Sequence, residues 1–327
     1  MINIQHLTKN YGNLRALDDV SFSVNEGEIV GFLGPNGAGK STAMNILCGY
    51  LSCDSGSAEI GGINILDNPI EAKRQIGFLP EMPPLYPDMT VREYLRFIYE
   101  LKGCRLDRDK HLHDVMEIVQ ITDVEGRIIR NLSKGYKQRV GIAQALVGNP
   151  KVLIFDEPTV GLDPRQIIEI RELIKELGRS HTVILSTHIL PEVQAVCDRI
   201  VIINKGKIVA NERTEEISKA ATAGRRITVK LCGDEKTILD GLRNRLPGVQ
   251  SVGSLGKHDM DSCTFYVESQ PGVDIRKPLF NLAAAEGWPI IGMETMGMDL
   301  EDIFISVVDE KQKPKTVIRK SGKEDRA

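Results

Sequence analysis

The sequence predicts an α/β protein: a large unit built on a mainly parallel, helix-covered sheet, then a smaller α+β unit. Three observations carry this expectation. The runs at residues 29–33, 152–155 and 183–186 are short, apolar and rich in β-branched residues, as strands buried on both faces are. Helical stretches and glycine turns separate them, the alternation expected of a parallel sheet. After residue 216 the texture changes, and the remaining elements read in the order βαββαβ.

In the larger unit, Thr90-Val91-Arg92-Glu93 has the form of a capping box opening a helix. Residues 140–147 have helical spacing, with Ser133 upstream as a suitable N-cap. Residues 217–226 read as a polar linker. The smaller unit runs over residues 227–309. Its expected elements are a strand at 227–231, a helix at 237–246 stopped by Pro247-Gly248, and a strand pair at 249–254 and 264–268. A helix at 275–286, a strand at 290–295 and a last helix at 300–308 follow. This order predicts a ferredoxin-like domain. The charged segment 310–327 reads as disordered.

Composition narrows the function classes. The chain has 327 residues, 41% apolar and 27% charged, enough for a sizeable core without disulfides or metals. A net charge of −3 supplies no general field for nucleic acid. No apolar run approaches the roughly 20 residues of a membrane span, and Met1-Ile2-Asn3-Ile4-Gln5 lacks a signal-peptide pattern. If the protein serves a membrane, other chains are expected to cross it. The six cysteines form no C-x-x-C pair and are expected to pack, reduced, as small hydrophobes.

The chemistry concentrates in a few segments. Gly34-Pro35-Asn36-Gly37-Ala38-Gly39-Lys40-Ser41-Thr42 fits G-x-x-x-x-G-K-[ST] between a predicted strand and a predicted helix. Such a loop turns backbone N–H groups toward phosphate oxygens, and the helix N-terminus adds positive potential. Lys40 is expected to bridge the β- and γ-phosphates, and Ser41 to hold Mg²⁺. Downstream, Val152-Leu153-Ile154-Phe155-Asp156-Glu157 reads as a strand ending in two carboxylates. Asp156 is expected in the Mg²⁺ shell, and Glu157 to polarise an attacking water.

Leu132-Ser133-Lys134-Gly135-Tyr136-Lys137-Gln138-Arg139, just upstream of that strand, resembles the signature sequence of ABC-transporter ATPases. Lys134 and Tyr136-Lys137 replace the usual second glycine and glutamine. Gly161-Leu162-Asp163 resembles the family's D-loop, and His188 its switch histidine. Tyr11 stands where the family has an aromatic residue that stacks on adenine. Over residues 1–216 the resemblance implies an ATPase domain with a helical signature subdomain. It also implies a head-to-tail homodimer binding ATP and Mg²⁺. Each ATP would lie between one copy's phosphate loop and the other's Ser133, Gly135 and neighbouring Tyr136, and Asp163 is expected among the nucleotide-binding residues. The partners implied are separate membrane-spanning permease subunits, with the chain peripheral on the cytoplasmic face of the membrane.

There is one departure. Glu81, in Ile76-Gly77-Phe78-Leu79-Pro80-Glu81, occupies the Q-loop position usually held by glutamine; its oxygen can still contact Mg²⁺, but it adds negative charge beside the phosphates. Met82-Pro83-Pro84-Leu85-Tyr86-Pro87, which follows, is apolar and stiff, in the region where the family receives a permease helix. These variants, with the small C-terminal domain and its Leu300-Glu301-Asp302-Ile303-Phe304, resemble ATPases of type-2 exporters of the gliding-motility and multidrug kind. The alternatives are an importer ATPase or a non-transport ABC ATPase acting on nucleic acid or the ribosome. Against the last, the chain shows neither sustained heptads nor cysteine–histidine spacing.

Overall fold

The computed structural model describes residues 1–216, 226–259, 261–270 and 273–296. Contacts divide the chain into two compact units, Met1–Ser218 and Lys219–Ala327.

In the first unit, six strands pair in the order β10-β9-β3-β8-β7-β6. They are β3 (Ile29–Leu33), β6 (Ile76–Leu79), β7 (Val152–Asp156), β8 (Thr182–Thr187), β9 (Arg199–Asn204) and β10 (Lys207–Arg213). All neighbours are parallel except β10 with β9. β3, β7 and β8 are buried along their whole length, which is why they read as unbroken apolar runs.

A second, antiparallel sheet is absent from the sequence expectations. It comprises β1 (Ile2–Tyr11), β2 (Leu14–Val24), β4 (Ser55–Ile60) and β5 (Ile63–Asn64), in the order β2-β1-β4-β5. Its alternation is broken where His6 takes φ 54° and the register shifts along β1, so a period of two is hard to read there. Ile2, Ile4, Leu7 and Phe22 from this sheet share one core with Val30, Phe32, Ile154 and Ile184 from the parallel sheet. Met44, Ile46 and Leu47 of α1 (Lys40–Leu47) belong to the same core. Each such side chain contributes about 1.5–3 kcal/mol, so the helix that opens at Lys40 is anchored from below.

A helical segment interrupts the parallel sheet between β6 and β7. It contains α3 (Val91–Leu101), α4 (Arg108–Ile118) and α5 (Lys134–Leu146). The expected capping box opens α3: Glu93 N–H donates to Thr90 Oγ1 at 3.3 Å, and Thr90 N–H to Glu93 Oε2 at 2.8 Å. Ser133 caps α5, accepting from Tyr136 N–H at 3.4 Å. At the other end of α5, Lys102 Nζ donates to the carbonyls of Gln144, Ala145 and Val147 at 3.0, 3.3 and 2.7 Å. These are acceptors a helix leaves over at its C-terminus. α5 also approaches β6 closely: a Cβ on Gly141 would lie 2.6 Å from a Leu79 methyl carbon. Both ends of the signature helix are therefore fixed.

The second unit contains β11 (Arg226–Cys232), α8 (Glu235–Arg245), β12 (Val249–Asp259), β13 (Ser262–Ser269), α9 (Arg276–Glu286) and β14 (Ile290–Met296). Its sheet is antiparallel throughout, ordered β12-β13-β11-β14, as a ferredoxin-like fold requires. Ile227, Val229 and Leu231 alternate inward onto Ile238, Leu242, Leu279 and Trp288. Arg226, assigned to the linker by sequence, is the first residue of β11 and pairs with Glu268. Strand pairing overrode the charged character of the residue. The rest of the expected linker, the expected helix at 300–308 with Leu300 to Phe304, and the expected disordered tail at 310–327 lie outside the described residues. All six cysteines are free. Cys48, Cys197 and Cys263 are buried as expected, whereas Cys53, Cys104 and Cys232 are partly exposed.

Candidate active site

Parallel strands end on the same edge of their sheet, and ligands of such folds bind there. β3, β8, β7 and β6 are consecutive neighbours. Leu33 is opposite Thr187, Asp156 opposite Ser186, and Leu79 opposite Phe155. The four segments leaving these ends carry Gly34 to Thr42, His188, Glu157 and Glu81. Motifs far apart in sequence are thus brought to one place by strand order.

A cleft of about 620 Å³ opens there. Tyr11, Asn36, Gly37, Gly39, Lys40, Ser41, Thr42, Glu81, Glu157 and His188 from the sequence expectations line it. The remaining loop residues lie just behind. Gly34 packs so closely that a Cβ would sit 2.4 Å from the Ile203 carbonyl. The Pro35 carbonyl accepts from Ala38 N–H, and the Ala38 carbonyl accepts from Gly206 N–H. Gly39 takes φ 109°, and a Cβ there would lie 2.6 Å from the Ala16 carbonyl, so glycine is required on both counts.

Lys40 Nζ donates to the Gly34 carbonyl at 2.8 Å and the Pro35 carbonyl at 3.3 Å, and lies 3.4 Å from Glu157 Oε1. Glu157 has φ 50°, a conformation that costs a non-glycine residue about 1–3 kcal/mol. The reversal directs its carboxylate back over the strand end, where His188 Nδ1 lies 3.0 Å from both oxygens. A carboxylate, an ammonium and an imidazole therefore converge. Asp156 is buried at the end of β7, and its Oδ1 has no hydrogen-bond partner. A buried carboxylate oxygen without a donor suits a cation shell. Among the described residues no group of three or more His, Cys, Asp or Glu side chains could hold a metal by itself. The donor set fits a hard cation that takes most of its ligands from phosphate and water.

Ser133, Gly135, Tyr136 and Asp163 are not in the lining of this cleft. Ser133 is exposed at the start of α5, while Gly135 is buried against the side chain of Gln166. The Tyr136 hydroxyl donates to Asp123 at 2.9 Å, within the helical segment. Asp163 caps α6 (Pro164–Leu177), accepting from Gln166 N–H at 2.9 Å. Conversely, Leu14, Arg15, Ala16, Val160, Lys205 and Gly206 line the cleft without having been expected. Asn204-Lys205-Gly206-Lys207 is legible as a hairpin turn, with positive φ at Lys205 and Gly206, but no local pattern ties that turn to the cleft.

A phosphate loop at the end of a central parallel strand, flanked by an acidic strand end and a helical insertion, defines a P-loop ATPase. Comparison with known proteins narrows this further. The family model described as ABC transporter matches residues 17–160. The uncharacterized ABC transporter ATP-binding protein YxlF of Bacillus subtilis is 33% identical over 309 residues, covering 94% of this chain and 99% of that one. The linearmycin resistance ATP-binding protein LnrL of the same organism is 35% identical, covering 94% of this chain and 98% of its own. Among solved structures, the dimeric bacterial ABC transporter cassette MJ0796 is 29% identical with a TM-score of 0.60, covering 65% of this chain and 99% of that one. The same cassette is also known in a post-hydrolysis state bound to ADP and Pi, at a TM-score of 0.60, 28% identity and the same coverage. The chain belongs to the ATP-binding subunits of ABC transporters, and it is an ATPase. Among the described residues no helix is long and apolar enough to cross a membrane.

Proposed function

We propose that the chain powers an exporter: two copies close head to tail on ATP, hydrolysis reopens them, and the motion drives separate permease subunits on the cytoplasmic face of a membrane. The observation that carries the head-to-tail reading is the division of the motifs. The phosphate loop, Glu81, Glu157 and His188 share one cleft, while Ser133 stands exposed outside its lining. A capped helix start can serve a phosphate only by presenting N–H groups and a hydroxyl, so its phosphate is the one bound by a second copy. The dimeric state of the MJ0796 cassette supports this arrangement. Export is supported by likeness along nearly the whole chain to a linearmycin resistance protein, and by 38% identity over 221 residues, 67% of this chain and 72% of that one, to the bacitracin transport protein BcrA of Bacillus licheniformis. The variants at Glu81 and in the signature favour the gliding-motility and multidrug kind.

In the site, Lys40 neutralises the β- and γ-phosphates, and Tyr11 offers a face to adenine. Ser41, Asp156 and Glu81 would hold Mg²⁺, which supplies charge neutralisation on the phosphates. Glu157 accepts the proton of the water that attacks the γ-phosphorus, and His188 orients Glu157 and contacts the γ-phosphate. Glu157→Gln tests the assignment: turnover measured by phosphate release falls by roughly 10²–10⁴, while nucleotide affinity stays within a few-fold. Normal turnover removes Glu157 from the base role.

A further inference from the structure

Glu192 lies on α7 (Leu190–Val196), outside every motif described above, yet among the described residues it is one of the most buried carboxylates, at 1% exposure. A charge in that position needs strong partners. The closest are two hydroxyls. Thr159 Oγ1 donates to Glu192 Oε1 at 2.6 Å, and Thr187 Oγ1 donates to Glu192 Oε2 at 3.0 Å. The Arg171 guanidinium of α6 stands farther off, at 3.7 Å.

The places of these hydroxyls give the contact its meaning. Thr159 follows Glu157 by two residues and precedes Asp163 by four, in a loop folded on itself by Val160 N–H to the Glu157 carbonyl and Leu162 N–H to the Thr159 carbonyl. Thr187 directly precedes His188, and its Oγ1 also accepts from Ile189 N–H at 3.2 Å. One carboxylate thus binds, with its two oxygens, the two loops that carry Glu157 and His188. The helix presenting it is itself immobilised against the central strand. A Cβ on Gly31 of β3 would lie 2.5 Å from Val193 Cγ1, the neighbour of Glu192. β3 is the strand that leads into the phosphate loop.

We infer that Glu192 is a positioning residue for hydrolysis, clamping the Glu157 loop and the His188 loop to each other and to the strand bearing the phosphate loop. It is not among the residues that line the nucleotide cleft. It holds the 3.0 Å contact between His188 and Glu157, and through Thr159 it fixes the approach of the segment that ends in Asp163. The inference rests on the catalytic reading of Glu157 and His188 proposed above.

The test compares turnover, KM for ATP, nucleotide affinity and thermal stability across variants of the full chain. Glu192→Ala lowers kcat by about tenfold to a hundredfold, the cost of a displacement of order 1 Å in a reacting group. KM and nucleotide affinity stay within about threefold. Glu192→Gln, which can still bond both hydroxyls, recovers most of the loss. Thr159→Val lowers kcat and Thr159→Ser restores it. This second pair probes one arm of the clamp even if Glu192→Ala fails to fold. In the double variant Glu192→Ala, Thr159→Val, the second substitution adds little. An unchanged kcat in Glu192→Ala or Thr159→Val overturns the clamp, as does a Thr159→Ser variant no better than Thr159→Val. A loss of nucleotide affinity parallel to the loss of kcat also overturns it, because that marks a merely structural role. Glu157→Gln is measured alongside. If it turns over normally, the catalytic reading fails and the clamp falls with it; if it is inactive while Glu192→Ala is normal, only the clamp is wrong.

Discussion

Removing Lys40 should do more than weaken nucleotide binding; it should destabilise the protein without any nucleotide present. Lys40 and Glu157 have side-chain exposures of 6% and 8%, and their charged atoms lie 3.4 Å apart. Breaking one side of such a pair strands a buried charge, at a cost of about 3–5 kcal/mol. Here His188, 3.0 Å from the same carboxylate and 40% exposed, offers partial relief. The lower end, about 3 kcal/mol, is therefore the expected loss for Lys40→Ala. Glu157→Gln in the Lys40→Ala background should recover about half of it, since the amide needs no counter-charge. Urea unfolding in nucleotide-free buffer measures both, completed as a double-mutant cycle. The probe must be chosen by unit. Trp288, the single tryptophan, lies in the core of the second unit, so its fluorescence reports that unit. Amide exchange at α1 reports the first. An unfolding midpoint of the first unit that is the same in Lys40→Ala and the wild type refutes the reasoning.

Other outcomes follow from the same geometry. Ser133→Arg should leave ATP binding to the monomer intact but block ATP-driven dimer closure; mixed with Lys40→Ala subunits it should regain partial ATPase activity from heterodimers with one whole site. Sedimentation and rate against mixing ratio check this, and full closure by Ser133→Arg alone refutes the composite site. His111 Nε2 accepts from Gly148 N–H at 2.9 Å, and burial, aided by nearby Lys102 and opposed by Asp114, holds its pKa below the ordinary 6.5. A depressed folded value means the unfolded chain takes the proton first. Stability is therefore full above about pH 6.5 and is lost as pH falls through the folded value. Thermal melts of His111→Gln against pH should lose that slope. Truncation after Glu216 should leave a folded domain that binds fluorescent ATP; insolubility would show that the two units share a core.

Much of the site was legible because its chemistry is local. A phosphate loop needs glycines, a lysine and a hydroxyl within nine consecutive residues, and residues 34–42 show them in order. The strand ending in Asp156 and Glu157 is legible for the same reason, as an unbroken apolar run followed by charge. The ferredoxin-like order of the second unit could be read from alternation in β11 and β13, where one face is buried and the other polar. β1 and β2 could not, because bulges destroy the period on which such reading rests.

What the sequence determined by itself is therefore the set of parts: the loop, the carboxylate pair, the signature helix with its Ser133 cap, and the family to which they belong. Tertiary structure alone decided which parts meet. Strand order put β3, β8, β7 and β6 side by side, so that Glu157 could reach both Lys40 and His188, and left Ser133 out of that cleft. It also brought in Arg15 and Lys205, and joined Thr159 to Thr187 through Glu192. Local patterns record what a segment must be, because propensity, capping and burial act over a few residues. Contacts between segments depend on strand pairing and packing over the whole chain, and no stretch of a single sequence carries that information alone.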